Sequence, residues 1–192
     1  MKSEELLNDL IALTKKNLDF ATRLRKNSLE ELNWRKNRDS WSALQCIEHL
    51  NLYGIFYLPE IEKSILKSKH SAETNFKSGF LGNRFAESML PGEQMKKIKT
   101  FKSKNPSEEK LTKDILQEFI IQQQKLLQLL ESAKRVNLNK ARVPVSIAKW
   151  LKLKLGDIFR VVIYHNERHL VQASNTMKKN LTGEGAQHLD FT

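Results

Sequence analysis

The chain has few of the residues that crosslink, break or turn a polypeptide. Its single cysteine, Cys46, excludes an internal disulfide and is typical of a protein from a reducing compartment. Among its 192 residues are only seven glycines and four prolines, and no Asn-Gly or Asp-Gly pair lies between alternating apolar runs. This scarcity of turn signals argues against a chain of β-hairpins and favours helices.

Long hydrophobic runs are also absent. No stretch approaches the roughly 18 uninterrupted apolar residues that indicate a membrane-spanning helix. The first residues include Glu4 and Glu5 and lack the apolar core of a signal peptide. We therefore expect one cytoplasmic domain over residues 1–192, with no membrane partner.

Positive charge, in contrast, is in excess, with a formal net charge of +11. Residues 63–104 hold ten Lys or Arg against three Asp or Glu, and residues 136–154 hold five against none. Such segments attract polyanions at long range, but a lysine-rich connection is more often a solvated surface. We expect only weak, salt-sensitive nucleic-acid binding and no specific nucleic-acid partner.

Apolar residues recur at helical spacing in four segments, at about 3–24, 42–67, 107–135 and 156–179. The second segment starts with Ser42 and Gln45, the pattern of a capping box, and contains Pro59 as an expected kink. Four helices of this length bury their apolar stripes most simply against one another. The sequence therefore predicts an all-α chain, a four-helix bundle with a long crossover between helices two and three.

The connections between these segments differ in length. Residues 68–106 span 39 positions, and so long a connection is expected to cross the bundle or to cover a site. Residues 136–155 contain Val143, Pro144 and Val145, which indicate a short extended piece before Trp150. We expect Trp150, like Trp34 and Trp41, to be a packing anchor near a helix end.

Three of the five histidines lie on the apolar stripes of these helices. On the fourth helix the stripe has spacings of four, three, four and three, through Ile158, Val162, His165, His169 and Gln172. On the second helix the spacings are three, four and three, through Cys46, His49, Tyr53 and Phe56. Burying three imidazoles in one core is costly unless each has a partner, and a shared metal ion supplies one.

Two segments carry a resemblance to a known family. Residues 41–50 (WSALQCIEHL) and 165–172 (HNERHLVQ) look like the signature segments of the DinB-like (YfiT-like) metalloenzymes. The resemblance implies a four-helix bundle with a divalent metal, Zn, Ni or Fe, on His49, His165 and His169. Some relatives are transferases or isomerases that use a low-molecular-weight thiol.

Three neutral ligands would leave the ion its full charge, which activates either a water molecule or a thiol. The first case is a metal-dependent hydrolase and the second a thiol-dependent S-transferase or isomerase acting on a small-molecule substrate. We favour thiol transfer because no general base shares the histidine stripe. A non-catalytic metal-binding protein and a weak nucleic-acid-binding protein remain as alternatives.

Three further residues are candidates for binding the substrate. Cys46 precedes His49 by one helical turn, where it is either a metal neighbour or a small buried apolar residue. Tyr53 is either a hydrogen-bond donor to substrate or a core aromatic. Gln172 follows His169 by three residues and suits a contact with a ligand or with a buried backbone group.

Apolar residues beyond the core stripes predict self-association. Such residues include Phe20, Leu24, Ile120 and Ile121. A helix face of this kind is a natural surface for a second copy, so we expect a homodimer.

Overall fold

The computed structural model describes residues 1–92, 100–106 and 110–181. Within these ranges the helices are α1 (Ser3–Leu24), α2 (Leu29–Asn33), α3 (Ala43–Leu66), α4 (Phe80–Met89), α5 (Asp114–Ala133) and α6 (Leu155–Leu181). Strands β1 (Arg142–Val145) and β2 (Ala148–Lys154) pair antiparallel, and Lys102–Lys104 form a short 3-10 helix. The described chain is therefore mostly helical, as predicted, with one small two-stranded sheet that grows from the extended piece expected at Val143–Val145.

The start of α3 is fixed by the predicted capping box. The Ser42 hydroxyl accepts a hydrogen bond from the Gln45 amide at 3.1 Å, and the Gln45 side chain accepts one from the Ser42 amide at 3.0 Å. These bonds satisfy backbone donors that a helix start otherwise leaves without partners. The helix then continues through Pro59 to Leu66.

The third long helix begins later than the sequence predicts. Its expected start near residue 107 lies outside the described residues, and α5 begins at Asp114. The Asn33 side chain donates to the Leu111 carbonyl at 2.8 Å and accepts from the Leu111 amide at 2.9 Å. Both backbone groups of Leu111 are therefore bonded to a side chain of α2 and are not available for hydrogen bonds within a helix. For this reason α5 begins only after Leu111.

Each of the four long helices packs against two of the others. Both α1 and α3 contact α5, and both contact α6. Two apolar clusters fill the interior, one containing Leu10, Ile61 and Leu126 and the other containing Phe20 and Ile47. The clusters use opposite ends of the same four helices.

A polar layer separates the two clusters. Along each long helix the core-facing residues change from apolar to polar and then to apolar again. The polar residues of the four helices together form a layer between the clusters. It consists of Thr14 and Asn17 on α1, His49 and Asn51 on α3, Gln122 and Gln123 on α5, and His165 and Asn166 on α6. Polar groups in such a position require partners from one another or from a ligand.

A buried carboxylate attaches α4 to α6. Asp157, which is fully buried, accepts hydrogen bonds from the Gly79 amide at 2.9 Å and from the Ser78 hydroxyl. Arg160 lies 3.7 Å from this carboxylate and donates to the Asn83 side chain at 2.9 Å. The connection between α3 and α5 is thereby held on the surface of α6, although the sequence did not predict a helix within it.

Two expectations about apolar residues are corrected. Trp150 is not a packing anchor, because it lies on β2 with 85% of its surface exposed. A two-stranded sheet buries only one face, and this indole is on the other. Phe20, Leu24 and Ile120 are buried in the core, which leaves Ile121 as the exposed member of the residues used to predict a homodimer. The homodimer stays a prediction.

None of the described helices is long and apolar enough to cross a lipid bilayer.

Replacing Gly82 by Ala is expected to destabilise the fold. A Cβ atom at Gly82 would lie 2.6 Å from the Cβ atom of Asp157, so α4 would have to move away from α6. Overpacking of this kind costs about 1–3 kcal/mol, against a gain of about 1 kcal/mol in helix propensity. Urea denaturation should show a lower free energy of unfolding for Gly82→Ala.

Gly92 provides the matched control, because no atom of the described residues lies within 4 Å of a Cβ atom placed there. Gly92→Ala is expected to change the free energy of unfolding by less than about 0.5 kcal/mol. Equal effects of the two substitutions would contradict the close packing of α4 on α6.

Candidate metal centre

Three histidines from two helices meet in the polar layer. His49 lies on α3, and His165 and His169 lie one turn apart on α6. The Nε2 atoms of His49 and His165 are 3.2 Å apart, and one ring nitrogen from each histidine lies within 4.8 Å of the other two. Two nitrogens bound to one zinc ion at roughly 2.0–2.1 Å would be about 3.3 Å apart. The three histidines meet, as their stripes predict, but the limit of 4.8 Å is wider than the distance of about 3–4 Å expected between nitrogens that share one ion.

The long connection between α3 and α5 orients His49. Its Nδ1 atom lies 2.7 Å from the backbone oxygen of Lys104. A carbonyl oxygen only accepts, so Nδ1 carries the proton and the lone pair remains on Nε2, which faces His165. The long connection therefore reaches the site, as its length suggested, and it fixes one imidazole in the form that binds metal.

The side chains of Gln172 and Trp41 orient His169. Its Nδ1 atom lies 2.9 Å from Oε1 of Gln172, which acts as the acceptor. The Trp41 ring packs on this imidazole and on that of His49, with centroid distances of 5.7 and 4.8 Å. Two of the three rings thus have a hydrogen-bond acceptor on Nδ1 and an aromatic wall beside them.

The surroundings keep all three imidazoles neutral. Burial is the largest cause in each case, and it lowers the pKa of His49, of His165 and of His169, the last to about 3. The neighbouring imidazoles lower the pKa of His165 and of His169 further, because two positive rings would repel each other. Neutral rings keep the lone pairs that a metal ion requires.

Among the described residues, no carboxylate or thiol joins the three histidines. Cys46 is fully buried in the apolar cluster that contains Phe20, and burial raises the pKa of its thiol. It is therefore a small apolar residue rather than a metal neighbour. A set of three neutral nitrogens with no fourth protein ligand is typical of catalytic sites, which keep one position open.

An apolar cavity lies next to His165. Its volume is about 90 Å³, and its polar rim on the histidine side includes Tyr53, Gln123 and Asn166. The Asn166 amide donates to Gln123 Oε1 at 3.2 Å. Elements α3, α4, α5, α6 and the β-hairpin supply apolar walls that include Tyr57, Phe85, Met89, Leu126, Val145, Ile158 and Val162. The cavity suits an apolar group rather than a charged one.

The three predicted substrate residues have different places around this cavity. Tyr53 lines it, with its ring centroid 4.9 Å from that of His165 and 5.1 Å from that of His49. Gln172 contacts His169 and, like Cys46, is not among the described residues that line the cavity. The structure thus places one of the three at the cavity, one behind a histidine and one in the core.

Sequence reasoning missed the contribution of Lys104. Its backbone oxygen binds His49, its ammonium donates to the Leu52 carbonyl, and that ammonium lies 5.3 Å from the centre of the Tyr53 ring. A backbone acceptor has no signature in the sequence. The unusual length of the connection was the only signal in the sequence for a connection that covers a site.

Comparison with known proteins agrees with this site. A family model described as the DinB superfamily matches residues 10–173, a range that includes all three histidines. No curated protein and no solved structure gives a significant match.

The stability of the metal-free protein is expected to fall below about pH 6.5. Unfolding returns the imidazoles to their ordinary pKa near 6.5, so at lower pH the unfolded chain binds protons that the folded chain does not. The free energy of unfolding, measured by urea denaturation in a chelator, should therefore decrease between about pH 6.5 and pH 5.

His169→Gln removes one of these groups and should make the decrease shallower. The same pH dependence in both proteins would contradict the neutral, buried state of His169.

Proposed function

Because the chain belongs to the DinB superfamily, we propose that His49, His165 and His169 bind one divalent metal ion in a metal-dependent enzyme. The observation that supports this most strongly is the convergence of one nitrogen from each histidine within 4.8 Å. The hydrogen bonds of His49 and His169 leave the Nε2 lone pairs available, and small movements of the rings would bring the three nitrogens from within 4.8 Å to the roughly 3.3 Å that one shared ion requires.

We extend this proposal to the architecture. Residues 1–192 form one domain, and α1, α3, α5 and α6 form a four-helix bundle. The pairwise packing of these helices supports the bundle, and the two apolar clusters on either side of a common polar layer support one continuous domain. The connection that contains α4 is the crossover of this bundle.

The donor set narrows the choice of metal. Imidazole nitrogens suit Zn, Ni and Fe, whereas Mg and Ca prefer oxygen ligands. A divalent ion bound by three neutral rings would keep its full charge and lower the pKa of a thiol or water at the open position. The protein then has to supply the substrate cavity and the orientation of the rings.

We propose a thiol-dependent S-transferase or isomerase as the reaction class. Hydrolysis also requires a residue that passes a proton from the attacking water to the leaving group, and among the described residues no carboxylate joins the histidines. A thiol needs only to lose its proton to solvent. In a transfer its sulfur then forms a bond to an electrophilic carbon, and the leaving group departs with the electrons of the broken bond.

The surroundings of the histidines support a substrate with an apolar part. The walls of the cavity next to His165 would bind that part and exclude water from it. Lys104 places a cation near the Tyr53 ring at the polar side, where it would attract the carboxylate of a low-molecular-weight thiol. The thiol and the apolar electrophile would thus approach from different sides.

Replacing His169 by Ala is expected to abolish metal binding and thiol transfer. Metal content should be measured by mass spectrometry on protein purified without chelator or affinity tag. Wild type should retain about one Zn, Ni or Fe per chain and should conjugate a thiol to a small apolar electrophile; His169→Ala should do neither, because two ligands do not hold the ion.

His70 is the matched control, because it is an exposed histidine away from the cluster. His70→Ala should keep both the metal and the activity. A metal bound by wild type and by His169→Ala alike would contradict the site, whereas bound metal without any thiol transfer would contradict only the reaction.

Gln172→Leu tests the orientation of His169 without removing a ligand. The change removes the acceptor on Nδ1, and loss of such a partner typically weakens metal binding about 10- to 100-fold. Competition with a chromophoric chelator should show this loss for Gln172→Leu. The variant Gln172→Glu keeps an acceptor and should bind as wild type does; equal weakening in both variants would contradict the orienting role.

A further inference from the structure

The two lysine-rich segments meet at one concave surface outside the histidine site. The end of α3 and the turn after it form one wall, and the connection after α5 and the β-hairpin form the other. Between them lies a cleft of about 590 Å³, which we call the basic cleft. Its unpaired cations are Lys67, Lys69, Lys140, Arg142, Lys149 and Lys152.

The charges in the basic cleft are not balanced by the protein. Glu60 is the one acidic residue among its described lining residues, and it lies 3.7 Å from Lys63, a seventh cation of the lining. Within the described part of the chain, none of the other six cations forms an ion pair. Like charges that line one concavity repel each other and concentrate anions from solution.

The shape of the basic cleft is fixed at both ends. At one end the His70 carbonyl accepts a hydrogen bond from the Asn137 amide at 3.1 Å, beside a bridge between Ser71 and Val136. At the other end the Tyr57 hydroxyl accepts a bond from the Ser146 amide at 3.2 Å. The two charged walls are therefore held at a set distance rather than free to separate.

The interior of the basic cleft also carries a hydrogen-bonding group without a partner. Ser64 is one of the residues that line the cleft, and its buried hydroxyl oxygen has no hydrogen-bond partner among the described residues. Elsewhere in the lining, the Lys149 ammonium lies 5.9 Å from the centre of the Phe56 ring. Because the Ser64 oxygen is covered, a ligand would contact the cations of the cleft rather than this hydroxyl.

We propose that the basic cleft binds a compact anion that carries several phosphoryl groups. Phosphoryl oxygens accept hydrogen bonds from lysine and arginine, and several on one small molecule match cations on two facing walls. An extended nucleic acid is less suited, because the described lining residues offer only two rings, that of Phe56, over which Lys149 lies, and the imidazole of His70.

The basic cleft is distinct from the histidine site. Lys63 follows His49 by 14 residues along α3, which corresponds to about 20 Å of helix. The two sites also use opposite sides of the β-hairpin, since Val145 and Leu153 line the apolar cavity while Arg142 and Lys152 line the cleft. Anion binding can therefore be tested independently of metal binding.

The test is isothermal titration calorimetry with sodium tripolyphosphate in about 150 mM salt, where long-range attraction is screened. Arg142→Gln combined with Lys149→Gln removes one cation from each strand of the hairpin and should weaken binding about tenfold or more. Inorganic phosphate should bind more weakly than tripolyphosphate to wild type, because it contacts fewer cations.

Lys36→Gln combined with Arg38→Gln is the matched control. It removes the same charge from an exposed loop outside the cleft and leaves the histidines intact, so extraction of metal by tripolyphosphate affects both variants alike. Binding should stay within about twofold of wild type. If the first variant fails to fold by circular dichroism, Lys67→Gln with Lys152→Gln replaces it.

Three results would overturn the proposal. Equal weakening in the cleft variant and the control would mean that net charge alone attracts the anion. Tighter binding of a single-stranded oligonucleotide than of tripolyphosphate would mean that the surface serves an extended polyanion. No measurable heat with tripolyphosphate would mean that the cleft is a solvated surface.

Discussion

The main constraint on this structure is the unfavourable free energy of burying three imidazoles side by side. Each ring needs a partner for both nitrogens, and a second proton on any ring is unfavourable because the rings are buried and close together. His49 and His169 donate their Nδ1 protons to the Lys104 carbonyl and the Gln172 side chain, which leaves the lone pairs on Nε2. A cation shared by the three rings would satisfy these lone pairs, whereas no hydrogen bond among neutral rings satisfies all three nitrogens at once.

The rest of the fold follows from where this group sits. The histidines belong to a polar layer between two apolar clusters, so the helices must keep one register for the layer to align. The connection between α3 and α5, attached to α6 through Asp157, provides the cavity wall at Phe85 and Met89 and places the Lys104 carbonyl beside His49. The β-hairpin separates the apolar cavity from the basic cleft, so one small element shapes two surfaces of opposite chemistry.

The sequence was sufficient to predict the four long helices and the meeting of the histidines, because helical periodicity is a local property. His49, His165 and His169 lie on apolar stripes, and buried stripes of packed helices must face one another. The exposure of Trp150, the helix α4 and the role of Lys104 could not be predicted in this way. Each depends on tertiary contacts, such as the bonds of Asp157 to Gly79, or on a backbone atom that every residue possesses. The basic cleft could not be predicted for the same reason, since its two walls are about 70 residues apart in the chain.

The most direct measurement of the central claim is anomalous X-ray diffraction from crystals grown with zinc. Data collected on either side of the zinc absorption edge show which peak is zinc, because the anomalous signal of zinc changes across that edge. The account predicts one strong peak at roughly 2.0–2.1 Å from the Nε2 atoms of His49, His165 and His169. A peak elsewhere, or none at the three histidines at neutral pH and saturating zinc, would contradict it.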